Sequence, residues 1–476
     1  MKRWMVVPGL LAWTMGMAQQ YWGGERRYPE ELREDVEVVR RALHLQHPDP
    51  YRYIGRAQLD ALLDSVSATL QVPMDERDLM LALAPALKRV GDAHVTLAPS
   101  ARVRDNWSRQ APMLPLKVRV IHGRLHVEEE YMGFRTIPPG NEVVALDGIA
   151  AADVLQALST VIPTDGHDEV YVERCIEQDF RYLYAFRFGT RAEHTVDHRG
   201  EDGVVRRSVL RALTGEEVEQ AYRPVNVRLL PWRLEPIADI RTAWVTCSTL
   251  DREVLAAERI DPSRMVDQFL HELRAKELTT LVIDVRGAGG ADMGMAELLF
   301  SLVATEPFRV VEAITMRQPA TADGRQGPDY ASTEGGALPE AGPIAVPADD
   351  PRLEITLPYH KAFTGKVYVV CDGTTRDAAA AFVMLAKRSG RARVVGEEVG
   401  SNSTSLCGGR PVNVVLPRSG LVLSLPSLRF VPAGRGEGPA DHGELPHHEA
   451  VQQPWGLQRG RDTVRSAVIE LIRALQ

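Results

Sequence analysis

The chain is poor in cysteine and has no excess of positive charge. Four cysteines, Cys175, Cys247, Cys371 and Cys407, are scattered over 476 residues. None has metal-ligand spacing, so neither a metal nor another cofactor is expected. Four cysteines allow three pairings and the sequence chooses none of them; buried free thiols are the expected state. Lys and Arg total 56 against 64 Asp and Glu, a formal charge of -8. That leaves no basic patch to neutralise phosphates and excludes a nucleic-acid partner. After the first 18 residues no long apolar run recurs, so the mature chain is expected to have no membrane span.

What is present begins with an export signal. Lys2 and Arg3 precede the apolar run Trp4 to Met17, which is short of the ~20 residues needed to cross a bilayer. Gly16-Met17-Ala18 places small residues where a signal peptidase reads, so cleavage is expected after Ala18 and the mature chain is expected to be secreted or periplasmic. Loss of Lys2 and Arg3 takes the charge from -8 to -10. With 44% hydrophobic and 25% charged residues, the remainder is a globular chain with a real core. Its length suits roughly three domains.

Periodicity divides it. Leu32, Val36, Val39 and Leu43, then Leu59, Leu62, Leu63, Val66 and Leu70, then Leu79, Leu83, Leu87 and Val90 mark three amphipathic helices in a domain placed at 19–105. Over 110–220 the period becomes two. Leu116, Val118 and Val120 alternate, His122-Gly123 turns, and Leu125 and Val127 alternate again. Pro139 to Gly148 reads as turn, strand and turn before a helix through Val154 and Leu158. This stretch resembles the latter part of a PDZ domain, a fold that captures peptide ends as an added edge strand. From 235 to 476 strand and helix alternate, with Leu281-Val282-Ile283-Asp284-Val285 and Lys366 to Cys371 as buried parallel strands. Residues 317–362 read as a surface excursion.

The order of short motifs is similar to that of the tail-specific (C-terminal-processing, tricorn-like) serine peptidases. It is carried by Gln46-His47-Pro48-Asp49-Pro50-Tyr51, Gly91-Asp92-Ala93-His94-Val95, Leu281 to Gly287, Gly365 to Cys371, Val395-Gly396-Glu397-Glu398, Gly443-Glu444-Leu445-Pro446 and Gly460-Arg461-Asp462. Each is short; seven in one order are specific. The resemblance implies an α/β layered peptidase core (crotonase/Clp-protease-like) with a PDZ-like β-rich domain and an N-terminal helical domain. It also implies a polypeptide or peptide C-terminus as partner. In the family a serine opens the helix after the strand, and here Gly373-Thr374-Thr375-Arg376-Asp377-Ala378-Ala379 puts Asp377 in that position. The lysine base of one branch falls on Asn402 and is absent. The histidine base of the tricorn-like branch matches His94. The oxyanion turn matches Gly287, Ala288, Gly289 and Gly290, with Ala378 beside the nucleophile position. Arg286 and Asn402 are candidate binding residues.

A carboxylate is a poor nucleophile toward an amide, and its charge beside an oxyanion hole satisfies the donors in the ground state. Asp377 suits a helix N-cap instead. A pseudopeptidase that binds polypeptides is therefore the expected function. The alternative is a hydrolase using Thr375, or a water activated by His94 and Asp377. His442, His447, His448, Glu444 and Glu449 cluster in sequence, but Gly443 and Pro446 argue for a loop. Glu437 or Asp441 is the candidate supporting carboxylate. Ser401, Ser403 and Ser405 read as loop hydrogen-bonders.

Overall fold

The computed structural model describes residues 25–221, 230–317, 343–436 and 438–475. The expected signal segment 1–18 and Glu437 lie outside them, as does 318–342 of the expected excursion.

Helices Pro29–Gln46, Arg56–Thr69 and Glu76–Lys88 form where the leucine stripes predict them. Asp75 caps the third by accepting from the Asp78 N–H. Leu32, Val36, Val39, Leu59, Leu63, Leu79 and Leu83 are fully buried. Three short helices cannot close that core alone. A hairpin from far along the chain, Val412–Val415 with Val422–Leu425, adds Leu416, Leu421, Leu423 and Leu425 to the same cluster. Its turn is held by buried Asp35, which accepts from the Arg418 and Ser419 N–H groups at 2.9 and 2.8 Å.

The middle of the chain is an antiparallel sheet in the order Leu116–Ile121, Arg124–Glu130, Glu142–Leu146, Glu193–Arg199, Val205–Arg211. The helix through Val154 and Leu158 spans Ala151–Ser159. A second helix of 20 residues, Glu169–Phe188, was not expected. It buries Tyr171, Val172, Ile176, Phe180 and Tyr184 against the sheet.

The last part is a six-stranded sheet in the order His448–Glu449, Arg393–Gly396, Lys366–Cys371, Thr280–Asp284, Thr242–Cys247, Trp232–Ile237. Neighbours are parallel except the last pair. Alternate residues of the central strand serve opposite layers. Leu281 and Ile283 pack with helices Met293–Ser301 and Asp377–Arg388, whereas Val282 packs with Val464, Val468 and Ile472 of the closing helix Thr463–Ala474. Both faces are covered, which is why the strand is an unbroken apolar run. The architecture is the mixed α/β layering expected from the sequence. Thr280–Asp284 and Lys366–Cys371 run in register, so the turns at their carboxyl ends, 285–290 and 372–377, emerge side by side.

Candidate active site

The turn after Lys366–Cys371 is built by Asp372 and Thr375. Asp372 Oδ1 accepts from the N–H groups of Thr374 and Gly287, both at 3.0 Å. Thr375 is fully buried. Its hydroxyl donates to the Val285 carbonyl at 2.9 Å and accepts from the Asp372 N–H at 3.0 Å. The Thr375 oxygen, the expected alternative nucleophile, thus ties two turns together and is engaged away from His94.

Asp377 follows with φ +54, the left-handed region that Asp tolerates better than most residues. It is not the N-cap expected from sequence. Arg376 holds that position, without a side-chain capping bond, and the positive φ turns the Asp377 carboxylate out to meet His94. Asp377 Oδ1 lies 3.0 Å from His94 Nε2, and Oδ2 lies 3.7 Å from the Arg376 guanidinium. The Asp377 N–H donates to Ser401 Oγ at 2.9 Å.

His94 comes from the loop after the third helix. Gly91 makes that loop possible: its φ is +72 and an added Cβ would sit 2.4 Å from Tyr53 Cδ2. Asp92 Oδ1 accepts from the His94 N–H at 2.8 Å and lies 3.1 Å from His94 Nδ1. Its other oxygen lies 2.9 Å from His47 Nε2. The carboxylate supporting His94 is therefore Asp92, two residues upstream. Asp441 instead pairs with His167 at 3.0 Å. The result is a relay of carboxylate, imidazole and carboxylate where a hydrolase would place carboxylate, imidazole and hydroxyl.

Electrostatics fix the charges. Burial alone would lower the His94 pKa, but the Asp377 charge and the bonds to Asp377 and Asp92 hold it well above its usual value. Burial pushes Asp377 up, and the His94 charge and hydrogen bond more than reverse this. Asp92 behaves likewise, held well below 3.8 against burial by His47 and His94. Nearby Asp165 is pushed up to about 7, by burial first and the Asp92 charge second. The imidazolium and carboxylate form an ion pair, and an imidazolium is no general base.

The glycine turn is present but closed. Gly287 has φ +71, and an added Cβ on Gly290 would sit 2.4 Å from the Leu250 carbonyl oxygen. The Ala288 N–H donates to Val285 at 3.1 Å. The Ala378 N–H, the expected oxyanion donor beside the nucleophile position, donates to the Gly290 carbonyl at 3.0 Å. A carbonyl thus faces the place where a developing oxyanion needs a donor. Arg286 is held by two carboxylates. It spends four of its five N–H donors on Asp284 at 2.9 and 2.7 Å and on Asp462 at 3.2 and 2.7 Å. Asn402 ties its loop together, accepting from the Thr404 and Ser405 N–H groups at 2.9 and 3.0 Å, and reaches other segments by donating to the Ala440 carbonyl at 2.9 Å and accepting from Arg52 at 3.4 Å. The histidine-rich stretch disperses too: His442 lies 3.1 Å from Glu398, His447 accepts from the Val394 N–H, and Glu444 is buried between Lys387 and Arg388.

One neighbour titrates in the ordinary working range. Asp168 caps helix Glu169–Phe188 through the Tyr171 N–H, while its Oδ2 is buried without a partner. Burial, then the Glu398 charge, pushes it from 3.8 up to about 8. A raised acid binds a proton in the fold that the unfolded chain has already lost. Stability is therefore full below the unfolded value and falls as pH rises through the folded one. Asp168→Asn keeps the cap and removes this penalty. Urea denaturation is expected to show it more stable than the native chain at pH 8, by up to about 5 kcal/mol at ~1.36 kcal/mol per pKa unit, and equal to it at pH 4.

Residues 245–448 match the model of peptidase family S41. No curated protein sequence matches the chain. Among solved structures, mature CPAF shares 14% identity with a TM-score of 0.64, over 94% of this chain and 98% of that one. A serine-to-alanine mutant of CPAF gives 15% and 0.65 over the same shares, and mature CPAF complexed with lactacystin 13% and 0.61. Identities this low speak to the fold alone. Residues 245–448 are thus similar to peptidase family S41, and the chain shares its fold with mature CPAF.

Proposed function

We propose that this protein is an exported, polypeptide-binding member of the S41 peptidases whose acyl-transfer chemistry is disarmed at Asp377. The observation that carries this reading is the 3.0 Å contact between Asp377 Oδ1 and His94 Nε2. It places an anion where a nucleophile must stand, and it holds the base protonated. Two further features support it. The Ala378 N–H is consumed by Gly290, and the edge strand Val205–Arg211 carries exposed Val205 and Val209, a face that an extended peptide could extend by strand addition. The domains at 19–105, 110–220 and 235–476 are part of this proposal, with the PDZ-like unit as the docking module.

The test uses the mature chain with a fluorescently labelled unfolded protein. Saturable binding by anisotropy without appearance of fragments is expected. Hydrolysis by the native chain that disappears in His94→Ala would overturn the reading in favour of a water activated by His94 and Asp377.

A further inference from the structure

The relay is disarmed for acyl transfer, yet its parts suit substitution at a different kind of carbon. Asp377 Oδ1 is bonded to His94 Nε2 at 3.0 Å. Oδ2 takes no hydrogen bond among the described residues, and the Arg376 guanidinium stands 3.7 Å from it. Gly289 keeps space beside that oxygen: a Cβ added there would lie 3.6 Å from Oδ2 and 3.3 Å from Arg376 Cγ. The Asp377 side chain is 11% exposed and that of Arg376 44%. An unbonded carboxylate oxygen thus stands between a glycine and an exposed cation. Its twin rests on an imidazole that Asp92 holds from the other side.

The surroundings decide what this oxygen can attack. An acyl centre needs an oxyanion donor, and the Ala378 N–H is bonded to Gly290. Displacement at a saturated carbon needs none in its first step, because the charge develops on the departing atom. Carboxylate nucleophiles form covalent esters in this way. The departing atom must also gain a proton, and His94 carries one next to Asp377. Because the carboxylate is so little exposed, only an unhindered carbon reaches it.

We infer that the native site hydrolyses small terminal epoxides through an ester on Asp377. Oδ2 attacks the terminal ring carbon, the ring C–O bond breaks, and the ring oxygen takes the Nε2 proton of His94. Burial favours a neutral imidazole, and the Asp377 charge leads the causes that override it. Alkylation removes that charge, so the acid of the first step becomes the base of the second. His94 takes a proton from water, whose oxygen adds to Asp377 Cγ. The charge that develops there lies between the imidazolium and the Arg376 guanidinium. The bond from Cγ to the alkylated oxygen then breaks, and the diol leaves with the second water proton. Carboxylate and imidazolium are restored; one epoxide and one water give one diol, with no redox change. This shares the Asp377–His94 contact with the proposed function but does not depend on polypeptide binding.

The mature full chain is incubated with styrene oxide and with propylene oxide, and diol is measured by chromatography. In a single turnover in water carrying heavy oxygen, the label should enter the Asp377 carboxylate and stay out of the diol. His94→Gln should slow diol release ~10²–10⁴-fold. It should also accumulate one adduct per chain on the peptide that holds Asp377. Hydroxylamine should release that adduct, as it does an ester and not a thioether of Cys175. Asp377→Ala should give neither diol nor this adduct. Heavy oxygen in the diol of the first turnover, diol formation unchanged in Asp377→Ala, or neither diol from the native chain nor adduct from His94→Gln, would each overturn the proposal. The native chain's oxygen labelling decides even if a variant fails to fold.

Discussion

Asp377→Ser is expected to take covalent label from a fluorophosphonate, while the native chain takes none. Replacing the carboxylate removes the charge that dominates the raised pKa of His94. It also places a hydroxyl within reach of Nε2, with Asp92 still holding the other side of the ring. Nucleophile, base and orienting carboxylate would then be in sequence. Loss of a general base costs ~10²–10⁴ in rate, so adding His94→Ala should slow labelling by about that factor. Peptide turnover should lag well behind labelling. The Ala378 N–H is bonded to Gly290, and a missing oxyanion donor costs ~10²–10³. Label on the native chain, or label on Asp377→Ser unaffected by His94→Ala, would show that His94 is not the base of this site.

The fold was legible where one surface of each element is buried. Leucines at helical spacing marked Pro29–Gln46, Arg56–Thr69 and Glu76–Lys88 because only one stripe of each faces a core. Leu281 to Val285 was legible as a central strand because both of its faces are covered. Glu169–Phe188 was not read as a helix. Five of its buried residues are Tyr, Val, Ile or Phe, types that favour strands, and two more are arginines, so its 3.6-residue spacing was masked by composition. Nor could periodicity show that the hairpin at 412–425 completes the N-terminal helical core; that is a long-range packing choice with no local signature.

The site divides the same way. His94 and Asp377 were readable because each sits inside a contiguous motif. Asp92 lies in the motif that identified His94, yet its role depends on a loop geometry that returns its carboxylate to Nδ1. The closure of Ala378 onto Gly290 depends on a peptide orientation, and the residue types of the turn do not report which way a carbonyl points.

Glu444→Ala should cost about 3–5 kcal/mol of stability, read by chemical denaturation, and should unsettle the site from a distance. Glu444 is 2% exposed. One oxygen lies 2.8 Å from Lys387 Nζ, and the other takes Arg388 Nε at 3.0 Å and Nη2 at 2.8 Å. Both cations are themselves nearly buried. Removing the anion strands two positive charges whose remaining partners, the carbonyls of Leu445, Ser403, Ala433 and Gly434, are neutral. The pair closes the last turn of the helix whose first residue is Asp377, where cations also complement the helix dipole. The Glu444 carbonyl in turn accepts from Val399, in the loop that brings Ser401 to the Asp377 N–H. A loss below about 1 kcal/mol would mean that water enters and solvates the two cations. Glu444→Gln keeps an acceptor and should fall between alanine and the native chain. If the loop is what positions Ser401, the labelling rate of Asp377→Ser should drop when Glu444→Ala is added, even at temperatures where the double variant stays folded.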